Sequence, residues 1–349
     1  MIMKRITLSA LLMTLFLLMS CGSGSTKSED PKTTFLNSIA NLGKGFLDVF
    51  TSLSDMVAGA FGIKADTKKE DIGAYFTKIA ETMTSLKKKL QDEVAKNGNY
   101  VKIKTAVDQF ITNTLDKIAA GAKEASKGTT SDAVIGNAVK GEDAAPAEVA
   151  SVNALVKGIK TIVDVVLKDN EGNPDATKTA ETEQKSIGKL FGTNAADGTE
   201  AQAAAASASI GAITGADILK AIAKSEEAKG EPTIEQSKNA AEIAAAKKED
   251  NKDLGASARK DAVIAAGIAL RAMAKDGKLA AKTGEDKSAH AINGAVASAV
   301  GKTLSTLIIA IRNTVDSGLK TISAALATVT QEDKSADSTT PTDAATGGQ

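Results

Sequence analysis

Apolar residues recur at intervals of three and four along most of the chain, the spacing that lines one face of an α-helix. Phe35, Ile39, Leu42, Phe46, Phe50, Leu53 and Val57 form the first stripe. Ile72, Phe76, Ile79, Met83, Leu86 and Leu90 form the second, alternating fours and threes like a coiled-coil seam. Ile103, Val107, Phe110, Ile111, Leu115 and Ile118 continue the theme, and Val152, Leu155, Ile159, Ile162, Val163 and Val166 add another stripe. The longest runs over about 288–330, through Val296, Val300, Leu304, Ile308, Ile311, Val315, Leu319, Ile322, Leu326 and Val329. No useful length alternates with a period of two. The pattern predicts an all-α protein, an elongated helical bundle with little or no sheet.

Between the stripes lie segments rich in Gly, Ala, Lys, Asp, Glu, Asn and Thr: 121–146, 169–184, 194–201, 225–232 and 249–256. They read as solvated loops or frayed helix ends. The chain then divides into a single helical domain over 33–330, with a loop-rich part at about 120–260, and a disordered tail over 331–349. The expected architecture packs the N- and C-terminal helices together near a membrane, with the loops at the far end. The strongest apolar run of the last helix, Leu307-Ile308-Ile309-Ala310-Ile311, is bracketed by Lys302 and Arg312. A bilayer span needs about 20 apolar residues, so this run is expected to be core. Asp261 to Lys278 is apolar around most of its circumference, which predicts a buried helix, with Gly277 placed just past its end.

The opening residues are of another kind. Lys4 and Arg5 precede an apolar run from Ile6 to Leu18, too short to span a bilayer. Leu18-Met19-Ser20-Cys21 follows and resembles the lipobox of bacterial lipoproteins. That likeness implies a signal peptide over 1–20, cleavage between Ser20 and Cys21, and an S-diacylglycerol, N-palmitoyl Cys21 as the membrane anchor. The next residues, 21–32, are Gly- and Ser-rich and read as a flexible tether.

Composition narrows the chemistry. Cys21 is the sole cysteine, so no disulfide framework or zinc-type cysteine cluster exists. Lys plus Arg equals Asp plus Glu at 43 each, and loss of residues 1–20 removes two cations and no acid. There is no basic excess for nucleic acid. Aromatics are 3% and Trp is absent, which predicts a core of close contacts among small residues.

Catalytic, cofactor and metal sites are not expected. His290 is the lone histidine and is expected at a surface or cap position. Val300-Gly301-Lys302-Thr303 looks like the end of a phosphate-binding loop, but Val296 stands where the loop's first Gly belongs and no strand precedes it. Lys87-Lys88-Lys89 and Lys247-Lys248 are short basic runs that would suit an adhesin for host glycans or proteins. Acids lie nearby, so a solvated face is expected at both. The Ile72–Leu90 seam could be intramolecular or a dimer contact.

Ile264 to Lys282, IAAGIALRAMAKDGKLAAK, closely resembles the invariable stretch of the variable large proteins of relapsing-fever Borrelia, and its counterpart in the variable surface lipoprotein of Lyme Borrelia. Lys4-Arg5-Ile6-Thr7-Leu8 with the Cys21 motif, the stripe from Phe35 to Phe61, and Asn293-Gly294-Ala295-Val296 through Leu319 are similar to the family too. The resemblance implies an outer-surface lipoprotein, anchored in the cell outer membrane by lipid on Cys21. It also implies a role in antigenic variation and evasion of host antibody, with no catalytic residue. The loops within about 120–260 are then expected to hold the variable epitopes.

Overall fold

The computed structural model describes residues 63–96 and 100–328, with 30, 32–38, 40, 41 and 44. Cys21, the 1–20 segment, most of the tether and of the Phe35–Phe61 stripe, Val329 and the 331–349 tail lie outside the described residues. Residues 32–38 are helical and bury Phe35 against the core. Ten labelled α-helices follow: α1 (Lys69–Lys96), α2 (Val101–Phe110), α3 (Asp116–Ser126), α4 (Val149–Val166), α5 (Glu181–Ser186), α6 (Glu200–Ala212), α7 (Gly215–Lys224), α8 (Ala240–Ala245), α9 (Asp261–Met273) and α10 (Ser288–Ala327). A π-helical turn, Ile111–Leu115, joins α2 to α3. Among the described residues, β pairing is confined to isolated bridges, Lys68 with Val134, Glu142 with Ala281 and Ala145 with Lys278. The protein is all-α, as the periodicity predicts.

Every described member of the later apolar stripes is buried, from Ile72 in α1 to Leu326 in α10. The Ile72–Leu90 seam faces the protein's own interior. It packs α1 on α3, and α3 packs in turn on α4. The N- and C-terminal helices do meet, chiefly where α10 crosses α2. There a Cβ on Gly318 would overlap the Phe110 ring, so only a glycine permits the approach.

Helix α9 is the axle. All of its residues, Asp261 to Met273, are buried, and it touches α1, α4, α6, α7, α8 and α10. An apolar circumference needs neighbours on every side, and this helix has them. Its end corrects one expectation. The helix stops at Met273, and Asp276, not Gly277, takes the left-handed conformation at φ 64°. Gly277 is required for a different reason: a Cβ there would collide with the Arg271 carbonyl oxygen.

α6 and α7 meet at a bend of 98°. Capping boxes set both starts, Thr199 with Gln202 and Thr214 with Asp217. α10 is long and apolar enough to cross a membrane by length and composition, but α2, α4, α6, α7 and α9 pack along it. Of its strongest apolar run, Leu307, Ile308, Ala310 and Ile311 are buried and Ile309 is exposed.

The segments expected as solvated loops need correction. Residues 121–126 complete α3, with Gly121, Ala122 and Ala125 buried. The other segments are irregular apart from their ends at 181–184 in α5 and 200–201 in α6, but they are stitched down. Ala144, Ala147, Ala176, Asp197 and Ala228 are buried, and main-chain bonds fix Ala145 to Lys278, Ala147 to Ala244 and Ala262 to Ala176. An irregular backbone that touches a core must satisfy its own polar groups, and these bonds do so.

Candidate functional site

Four cations, Arg271 and Lys69 buried, Lys302 half-buried and Lys160 exposed, tie the scaffold together. Arg271 is 1% exposed, and it projects from α9 toward the C-terminal end of α8. Nη1 donates to the carbonyls of Ala244 at 3.1 Å and Ala246 at 2.8 Å, and Nε donates to Lys278 at 2.9 Å. The Phe191 ring centroid lies 4.8 Å from the guanidinium carbon, a cation–π contact. Burial pushes the guanidinium down to about 9, still charged at neutral pH. Lys69 opens α1 and is fully buried, its amine on the carbonyls of Ala274 and Gly277 just past α9. Helix C-termini carry unpaired carbonyls and partial negative charge, so a cation supplied from another element suits them. Lys302 repeats the device, donating to Ile210 and Ile213 at 2.8 Å each, at the bend between α6 and α7. Lys160 serves Ala223 at the end of α7.

Asp197, Asp217 and Asp261 are the buried acids among the described residues, and Asp261 gathers the densest set of donors. Asp261 begins α9 and is fully buried. Its Oδ2 accepts from the Lys178 and Thr179 amides at 2.5 and 2.9 Å. Its Oδ1 accepts from the Thr179 and Ser209 hydroxyls at 2.6 Å each and from Gln184 at 3.2 Å. Burial alone would raise its pKa. The bonds from Ser209, Thr179 and Lys178 outweigh burial and hold it below the usual carboxylate range.

The positions weighed from sequence fall as follows. His290 is exposed in the first turn of α10. Gly301, Lys302 and Thr303 lie mid-helix, where Lys302 caps α6 and Thr303 bonds back to the Ala299 carbonyl. No phosphate cradle can form inside a continuous helix. Lys87 pairs with Asp116, Lys248 with Asp143 and Lys247 with Glu249. These pairings neutralise part of each basic run. Among the described residues, no three of His, Cys, Asp and Glu come together as a metal site.

The described residues form a tightly tied helical body. Comparison with known proteins identifies such a body. The Borrelia lipoprotein family profile matches residues 46–326. The chain belongs to that family. It is 63% identical to variable large protein 4 of Borrelia hermsii over 98% of this chain and 99% of that one. It is also 63% identical to variable large protein 17 of Borrelia hermsii, over 99% and 98%. The crystal structure of the Lyme disease variable surface antigen VlsE of Borrelia burgdorferi superposes with a TM-score of 0.69 at 36% identity, covering 84% of this chain and 99% of that one. This Borrelia lipoprotein thus shares both sequence and fold with variable surface antigens.

Sequence reasoning missed Lys69, Lys160 and Lys302 as helix caps and Asp261 as the hub of a polar network. The available signal was slight: a lone charge beside or within an otherwise apolar stripe, as at Arg271 in IALRAM.

Proposed function

We propose that the chain is a lipid-anchored antigen of the outer membrane surface, whose exposed face changes between family members and meets host antibody. The observation that carries the reading is its near full-length similarity to variable large proteins. In this reading Ser20–Cys21 is the cleavage point, Cys21 bears the diacylglycerol and the N-palmitoyl chain, and residues 22–32 lift the body off the headgroups. Multiple acyl chains give stable anchoring. The variable face lies on the irregular segments of 120–260, and the buried ties keep the scaffold constant beneath them. The role asks for no catalytic residue, cofactor or nucleic acid.

Radiolabelled palmitate supplied to cells making the protein should enter the wild type and fail to enter Cys21→Ser. Protease added to intact cells should then remove the wild-type protein. A labelled protein that survives that treatment would place it on the periplasmic side. Transplanting the 120–260 irregular segments from another member should change antibody reactivity and leave the helical melting transition nearly unmoved. Antibodies that track the α1 and α2 helices instead would overturn the assignment of epitopes.

A further inference from the structure

Two of the irregular segments are gripped by asparagines at their main chain. Asn293, on α10, donates Nδ2 to the Ala138 carbonyl at 3.0 Å and accepts the Ala138 N–H on Oδ1 at 3.0 Å. Asn153, on α4, donates to the Ala228 carbonyl at 3.0 Å and accepts the Ala228 N–H at 2.8 Å. Each side-chain amide imitates a paired backbone, one donor and one acceptor against one acceptor and one donor. The two gripped alanines are 5% and 3% exposed. Their neighbours are not: Val139 and Lys140 follow the first, and Glu226, Glu227 and Lys229 flank the second, all exposed. Further main-chain bonds hold the first segment, from the Gly141 N–H to Ala281 and between Ala145 and Lys278. The crest side chains do pair, Lys140 with Asp286 and Glu227 with Lys157. Exposed pairs of this kind contribute little.

A bond to a main-chain N–H or carbonyl does not read the side chain on either side of it. A crest held this way keeps its path when its flanking residues are exchanged. We propose that Asn153 and Asn293 are positioning residues that present the crests 139–142 and 226–230 as antibody epitopes, fixing the shape of each crest independently of its sequence. The inference rests on the antigen reading above and names where that surface is rigidly displayed.

The test is hydrogen exchange on the whole purified protein. Asn293→Leu and Asn153→Leu keep about the same size and lose both the donor and the acceptor of the Ala138 and Ala228 amides, and Asn→Ala removes the bulk as well. Exchange at the Ala138 amide should rise at least about tenfold in the Asn293 variants while Ala228 stays protected, and the reverse should hold for Asn153. Should the alanine variants unfold, the leucine variants, close to asparagine in size, carry the measurement. Replacing Val139 and Lys140, or Glu226, Glu227 and Lys229, by serine should leave exchange unchanged and abolish a distinct fraction of the antibodies raised against the intact protein. Unchanged exchange in the leucine variants would overturn the positioning role. Undiminished antibody binding to the serine variants would overturn the crests as epitopes, whereas failure of any antibody to recognise the protein on intact cells would instead strike the antigen reading itself.

Discussion

The Lys69 amine nitrogen lies 2.8 Å from the Gly277 carbonyl oxygen, joining the first residue of α1 to the turn after α9 across 208 positions of sequence. Its second bond, 2.6 Å to Ala274, completes the clasp. Burial, and after it the nearby Arg271 charge, pushes the amine down to about 8, against a weaker pull from Asp276. A neutral amine still has two N–H donors, one for each carbonyl. The folded amine thus gives up its proton near pH 8, while the unfolded chain keeps it until about pH 10.4. In that interval unfolding takes up a proton, so stability rises with pH.

Denaturant melts from pH 7.5 to 9.5 should therefore show a gain approaching about 2 kcal/mol. Lys69→Met should flatten most of that slope. A further rise is expected from Arg271 and Lys302, both of which burial lowers in the same direction. The window stops below pH 10, where the buried Tyr75 phenol, held up by burial, reverses the sign. A slope unchanged by Lys69→Met would refute the clasp as its source.

Arg271→Ala should be among the most damaging single changes. It would strand the carbonyls of Ala244, Ala246 and Lys278 in the core and open a void against Phe191. The expected loss is about 3–5 kcal/mol in denaturant titration. Arg271→Lys should rescue little, because a single ammonium cannot reproduce a planar fork over an aromatic ring.

Asp261→Asn should cost about 2–4 kcal/mol. The new NH2 would face N–H or O–H groups that now donate to Oδ1 or Oδ2, leaving buried donors unpaired. The carboxylate's folded pKa is depressed, so its stabilising effect is full above the unfolded value, about 3.9, and is lost as pH falls through the folded one. Acid unfolding of the wild type should show this loss, and the variant should lack it.

Gly318→Ala should destabilise by about 1–3 kcal/mol, because the added methyl meets the Phe110 ring. Phe110→Leu should recover part of that loss when combined with it. Thermal melts of both single variants and the double variant close the cycle, and strict additivity would mean that α2 and α10 do not couple at this crossing.

Helix faces were legible from spacing alone. The Ile72–Leu90 seam, the Val152–Val166 stripe and the α10 stripe through Leu326 are buried residue for residue. The all-round apolar run of α9 correctly announced a helix enclosed on every side. The irregular segments were legible only as irregular. Nothing in Gly, Ala and Lys content told that Ala138 and Ala228 are pinned while Val139 and Lys229 project.

What the sequence by itself determined is the set of helices and their inward faces, because periodicity is a local property that a side-chain pattern must display. It also carries the motif at Cys21 that the anchor proposal needs. Tertiary structure alone decided which polar groups close the body: Lys69 on Gly277, Lys302 on Ile213, Asn293 on Ala138. In each of these ties a side chain meets main-chain atoms. Every residue has a carbonyl and nearly every residue has an N–H, so the partner leaves no mark in the sequence and is chosen only when distant segments meet.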